Sequence, residues 1–255
     1  MGKKQSREPI PASLRRQIRT EAGFGCVFCG MPIIEYHHII PHAIVQKHEA
    51  ENLVALCGNH HNSFHNKLIP EEEVYFRKQN PFNLTQDDVK GNFWLGSYES
   101  LKLVLGSCTF IDTPKIFVVN GFPLIEIKKD ECGRPLLNVK FFDEKDVLIA
   151  EIVDNEWIVK RKTDKVWDLQ WSQGELKINS ASRKIHLTFV VDAIKNTVEL
   201  KADLYYKNVL IKINSKSIEA TLKGKDAIKN KGNLMFFKGM TVESCGSGIE
   251  IEVQT

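Results

Sequence analysis

The sequence predicts an α+β protein, built from a small N-terminal metal-stapled unit and a larger all-β domain. Two observations carry that prediction. Seven of the eight histidines and three of the six cysteines fall between Cys26 and His65, a clustering that metal chemistry explains. Beyond about residue 93 the texture changes to short segments that alternate apolar and polar residues between turn residues, which is strand patterning. The 255 residues leave enough chain for a core in each part.

Composition bounds the class. Hydrophobic residues at 42% and charged residues at 26% are those of an ordinary globular chain, and no apolar run is long enough to span a bilayer. The N-terminus, MGKKQSREPIPASLRRQ, starts basic but has no apolar stretch behind it, so it does not read as a secretory signal. The expectation is a cytoplasmic protein with reduced thiols and no membrane partner. The net charge of +3 is unevenly spread: residues 1–20 carry +5, leaving −2 for the remainder. A basic arm beside a metal cluster suits a phosphate backbone, since each cation placed on a phosphate releases counterions. A solubilising tail fits the charge equally well.

Along the chain, PASLRRQIRTEA at 11–22 places Leu14, Ile18 and Ala22 on one helical face with arginines around it, and Gly23 follows as the stop. CVFCG at 26–30 reads as a knuckle that aims two sulfurs at one ion. IIEYHHII at 33–40 is rich in β-branched and aromatic residues and is expected to be a strand ended by Pro41. Residues 42–51 have no clear period and read as loop. Residues 52–56 are expected to form a second strand. Residues 58–67 then make a short helix, with His61 and His65 sharing one face at i, i+4. The domain division is 1–69 for the metal unit, 70–92 for a connection with a helical turn over EEEVYFRK, and 93–255 for the β domain.

Cys26 and Cys29, followed by Cys57 and His60 in CGNH, supply two knuckles of thiolate and imidazole ligands. Zn²⁺ binds such a set tetrahedrally, and a structural Cys3His site is the expectation. That leaves His37, His38, His61 and His65. Three imidazoles on one ion keep positions open for water and substrate, which marks a catalytic site. Successive residues on a strand point to opposite faces, so His37 and His38 take different jobs, one of them as candidate general base. Adjacent His60 and His61 would serve different ions, which a helix permits because successive side chains diverge by about 100°.

CxxC, then YHHIIP, then ENLVALCxxHHxxxH resembles the HNH nucleases, the ββα-metal superfamily built on a treble-clef zinc knuckle. The resemblance covers about residues 14–66. It implies that His37, His61 and His65 hold a catalytic divalent ion, Mg²⁺ or another such as Mn²⁺ or Ni²⁺, and that His38 is the general base. Asn52 matches the motif asparagine that ties down the loop between the strands and orients the base. The second knuckle departs from the family's usual CxxC by having His60 in place of a cysteine. His42 and His48 match nothing in the motif and read as solvated loop residues. Arg15, Arg16 and Arg19 are candidates for contact with the DNA backbone.

The implied function is a metal-dependent endonuclease that hydrolyses phosphodiester bonds in DNA, with double-stranded DNA as its partner. Alternatives are a non-catalytic zinc-stapled DNA-binding protein and an RNA-cleaving nuclease. The β domain is expected to be a sandwich or barrel, favoured over a solenoid because no fixed period repeats. Its roles remain open among DNA specificity, sensing of a small-molecule or protein activator, and homo-oligomerisation. The architecture also suits anti-phage defence. Trp157, Trp167 and Trp171, interleaved with Lys160, Arg161 and Lys162, either stack bases or ligand or simply pack in the β core.

Overall fold

A computed structural model describes residues 8–172, 174–181, 184–222 and 234–253. Lys3, Lys4 and Arg7 of the basic arm, and the start of the glycine-rich tail at 230–233, lie outside the described residues. The class is mixed α+β, with strands at 45% of the chain and helices at 17%, so sheet dominates. The chain divides into two compact units, Met1–Val89 and Lys90–Thr255.

In the first unit, helix α1 (Ala12–Glu21) buries Ile18 and ends where Gly23 turns left-handed at φ +65°. Strand β1 (Glu35–His38) pairs antiparallel with strand β2 (Leu53–Leu56), His37 opposite Val54 and His38 opposite Leu53. Between them lies helix α2 (His42–Val45), a single turn where a loop is expected from the sequence. All four β2 residues are buried, because α1 and helix α3 (Gly58–His65) both pack against it. A strand covered on both faces reads as an unbroken apolar run, which is the LVAL sequence.

Residues 70–92, expected to be a connection, contain helix α4 (Glu71–Gln79). Val74 is fully buried in the first unit's core. The helix is locally well specified: Glu71, Glu72 and Glu73 sit at its positive N-terminus and Arg77 and Lys78 in its last turn, both favourable to the helix dipole. Lys78 also reaches Glu21 of α1 at 3.4 Å.

Among its described residues, the regular elements of the second unit are all strands. From Lys115 to Lys160 four consecutive hairpins run antiparallel, and a second antiparallel run extends from Asp168 to Phe237. Several turns are two residues long with both φ positive, Asn120-Gly121, Asp154-Asn155 and Lys207-Asn208. That geometry matches the right-handed twist of the strands it joins, and Asn and Gly tolerate it best. Three parallel ladders, 102–105 with 197–200, 241–243 with 109–111 and 247–251 with 115–119, add the remaining strands, and Tyr205 pairs with Phe142 between the two runs. Residues 135–142 alternate buried and half-buried without a break, the pattern of a strand with one face on the core. Trp157, Phe110, Phe117, Phe141 and Phe189 fill that core.

Candidate metal centres

The knuckle at 26–30 is shaped by its backbone before its sulfurs matter. Gly30 donates to the Cys26 carbonyl at 2.8 Å, and Cys26 donates to the Met31 carbonyl at 2.9 Å. Gly30 holds φ +74°, and a Cβ there would lie 2.1 Å from Asn83 Oδ1. Asn83, buried, donates from Nδ2 to the carbonyls of Gly23 at 3.0 Å and Gly30 at 3.1 Å. One side chain thereby clamps both ends of the loop.

This loop brings Cys26 and Cys29 to Cys57 and His60 at the start of α3. Cys29 Sγ lies 3.8 Å from Cys57 Sγ, and His60 Nδ1 lies 3.2 Å from Cys57 Sγ and 3.5 Å from Cys26 Sγ. A tetrahedral zinc with ordinary bond lengths requires ligand separations of about 3.8 Å between two sulfurs and about 3.6 Å between sulfur and nitrogen. The four groups therefore fit a metal such as zinc. Phe28 stacks on the His60 ring at 4.8 Å and holds its plane. Burial pushes the Cys26 thiol up to about 12 and raises that of Cys29 too. The buried Cys26 thiol is a poor home for negative charge until a cation compensates it.

A second group forms across β1 and α3. His61 Nε2 is 2.9 Å from His37 Nδ1 and 3.2 Å from His65 Nε2. Glu35 Oε2 sits 2.9 Å from His61 Nδ1. His61 donates its Nδ1 proton to that carboxylate, which leaves Nε2 unprotonated and facing the other two rings. Glu35 went unmarked in the sequence, although it shares the His37 face of β1 at i, i+2.

No known protein family, curated protein or solved structure matches the chain.

His38, next to His37, leaves the opposite face of β1 and joins a third group with His42 and His48. Asn52, buried, clasps the intervening backbone: Oδ1 accepts from Ile40 N–H at 2.7 Å and Nδ2 donates to the Ile40 carbonyl at 2.9 Å. His37, His38, His42, His61 and His65 all line one cleft of about 1190 Å³, large enough for a phosphodiester segment with its flanking sugars.

The three arginines of α1 differ in setting. Arg15 is exposed and Arg16 half-buried, whereas Arg19 is buried and bonds through Nη1 to the Tyr36 hydroxyl. Arg19 thus packs α1 onto β1, next in sequence to the core residue Ile18. In the second unit Trp157 and Trp171 are core residues with ring centroids 5.6 Å apart, while Trp167 is half-buried. Trp94, 80% exposed, is the tryptophan that faces solvent. Among the described residues no helix is long and apolar enough to cross a membrane.

Proposed function

We propose that this protein is a metal-dependent DNA endonuclease of HNH type, in which residues 14–66 form a ββα-metal unit on a zinc-knuckle frame. The second unit, of sandwich or barrel type, would target or regulate it. The observation that carries the reading is the pair His37 and His38. Adjacent on β1, they leave opposite faces yet line one cleft, one within a triad of imidazoles and the other outside it.

On this reading His37, His61 and His65 hold the divalent ion, which when bound supplies positive charge at the scissile phosphate and at the departing 3′ oxygen. His38 takes the proton from the attacking water. Asn52 keeps the backbone after His38 in place, and Glu35 orients His61. The triad offers imidazole only, which favours Ni²⁺ or Zn²⁺ over Mg²⁺ as the ion it holds best. Cys26, Cys29, Cys57 and His60 carry the structural zinc.

Incubation of purified protein with plasmid DNA and with RNA, in Mg²⁺, Mn²⁺ or Ni²⁺, tests the proposal. DNA cleavage that falls by roughly 10²- to 10⁴-fold in His38→Ala is the expected result. Intact plasmid under every condition would leave a zinc-stapled DNA binder, and cleavage confined to RNA would change the substrate.

A further inference from the structure

We infer that His38, His42 and His48 form a third metal site, selective for borderline transition-metal ions such as Zn²⁺, and that an ion held there switches off the general base. The binding stands on geometry alone; the switching rests on the nuclease reading above.

The chain path builds the cluster. Alternation along β1 sends His38 away from the His37 face. Pro41 precedes α2 and His42 opens it. Gln46 then ends the helix in the left-handed conformation, at φ +51°, and the chain returns to set His48 beside His38. The ring centroids are 5.0 Å apart for His38 and His42, 5.1 Å for His38 and His48, and 4.8 Å for His42 and His48. This is close to an equilateral triangle. The ligating nitrogens lie within 4.8 Å of one another.

The hydrogen bonds identify which nitrogens face inward. His48 Nε2 lies 2.9 Å from the carbonyl oxygen of Glu8. A carbonyl only accepts, so Nε2 carries the His48 proton and Nδ1 presents its lone pair. Ligating histidines are commonly anchored by such an outer contact to a backbone carbonyl. His48 Nδ1 faces His38 Nε2 at 3.0 Å, near the roughly 3.4 Å between two nitrogens on one tetrahedral ion. A set of imidazoles suits Zn²⁺, Ni²⁺ or Cu²⁺, while Mg²⁺ and Ca²⁺ prefer oxygen.

The same contacts give the switch its mechanism. Without an ion, the proton between the two rings belongs to His38 Nε2, so His38 Nδ1 is the unprotonated nitrogen that can take a proton from water. An ion on His38 Nε2 replaces that proton, and the neutral ring then carries its proton on Nδ1. The proton count of His38 is unchanged, but its basic lone pair is spent on the metal.

Native mass spectrometry of the full chain at saturating zinc reads the site directly. One ion in each of the three Cys/His groups is expected for the wild type, and one fewer for His48→Ala and His42→Ala at matched free zinc, through an affinity loss of roughly 10-fold or more. Thiolate charge-transfer bands with Co²⁺ report whether the cysteine site, and so the frame, survives in each variant. Should His48→Ala lose that signal, His42→Ala decides. Equal ion counts in wild type and the folded variants would overturn the site. With zinc already in the cysteine site and in the His37, His61 and His65 triad of both proteins, raising free zinc to fill the third site should slow plasmid cleavage by the wild type roughly 10-fold or more, while His42→Ala keeps the rate it has at two bound ions. Equal losses in both proteins would overturn the switch. Absence of cleavage by either protein defeats the nuclease reading and takes the switch with it, while the ion count still decides the site.

Discussion

The two units hold themselves together by different means. In the first, Cys26 and Cys57 are members of the apolar core as well as of the candidate metal-ligand set, so core and candidate site are one object. In the second, Trp157 and four phenylalanines are the largest side chains of an extensive apolar core. A unit of fewer than 90 residues buries too little surface to be generous with stability, and a metal cross-link is a common remedy. The larger β unit has the area to do without one. Loss of metal should therefore separate the two, and loss of core packing should do so in the opposite sense.

The largest expected effect follows from keeping metal out of the Cys26, Cys29, Cys57 and His60 cluster, which could hold a structural zinc. Structural zinc in small peptides contributes about 10–16 kcal/mol of apparent binding energy at neutral pH, comparable to the whole stability of a domain. A strong chelator, or Cys57→Ser, should abolish amide protection in residues 8–89 and leave it in the strands of the second unit, read by hydrogen exchange. Protection lost equally from both would break the contrast. Acid should act in the same direction as the chelator. The metal takes thiolates, burial raises the thiols of Cys26 and Cys29, and protons therefore compete with zinc, so zinc retention weakens as pH falls. Zinc release followed against pH checks the sign, and retention unchanged into the acid range would overturn it.

Truncation of the second core comes next. Trp157→Ala should cost about 3–5 kcal/mol in the melting of the second unit, with the zinc content of the first unchanged by elemental analysis. A parallel fall in zinc would show that the two units do not hold themselves up separately. The smallest effect is within the first unit. Glu35→Ala removes the acceptor that orients His61 and should weaken Ni²⁺ binding at His37, His61 and His65 by roughly 10- to 100-fold. The cysteine site should keep its metal. Calorimetry with Ni²⁺ on zinc-loaded protein measures it, and an unchanged affinity would remove Glu35 from the site.

Much of the first unit is legible in residue spacing because its ligands are close in sequence and their elements are short. Cys26 and Cys29 lie on one turn, and His61 and His65 on one helix face, so local geometry nearly suffices to pair them. The tryptophans show the limit. Trp157 and Trp171 alternate with basic residues in a way that fits stacking or packing equally, and only burial distinguishes the two. Arg19 is a similar case, since one step around the helix from Ile18 separates a solvated cation from one held on Tyr36.

What the order of residues determined was the grouping of chemistry: thiolates and imidazoles in one stretch, strand patterning after it, helix signals where caps and period agree. These are local properties, carried by spacing and by the backbone preferences of a few residues. Tertiary structure decided which groups meet across distance. Asn83 clamps a knuckle some fifty residues away, Val74 closes the first core from a segment that reads as a connection, and a turn at Gln46 brings His48 to His38. None of these contacts has a sequence signature, because each depends on where the chain returns rather than on what it is made of.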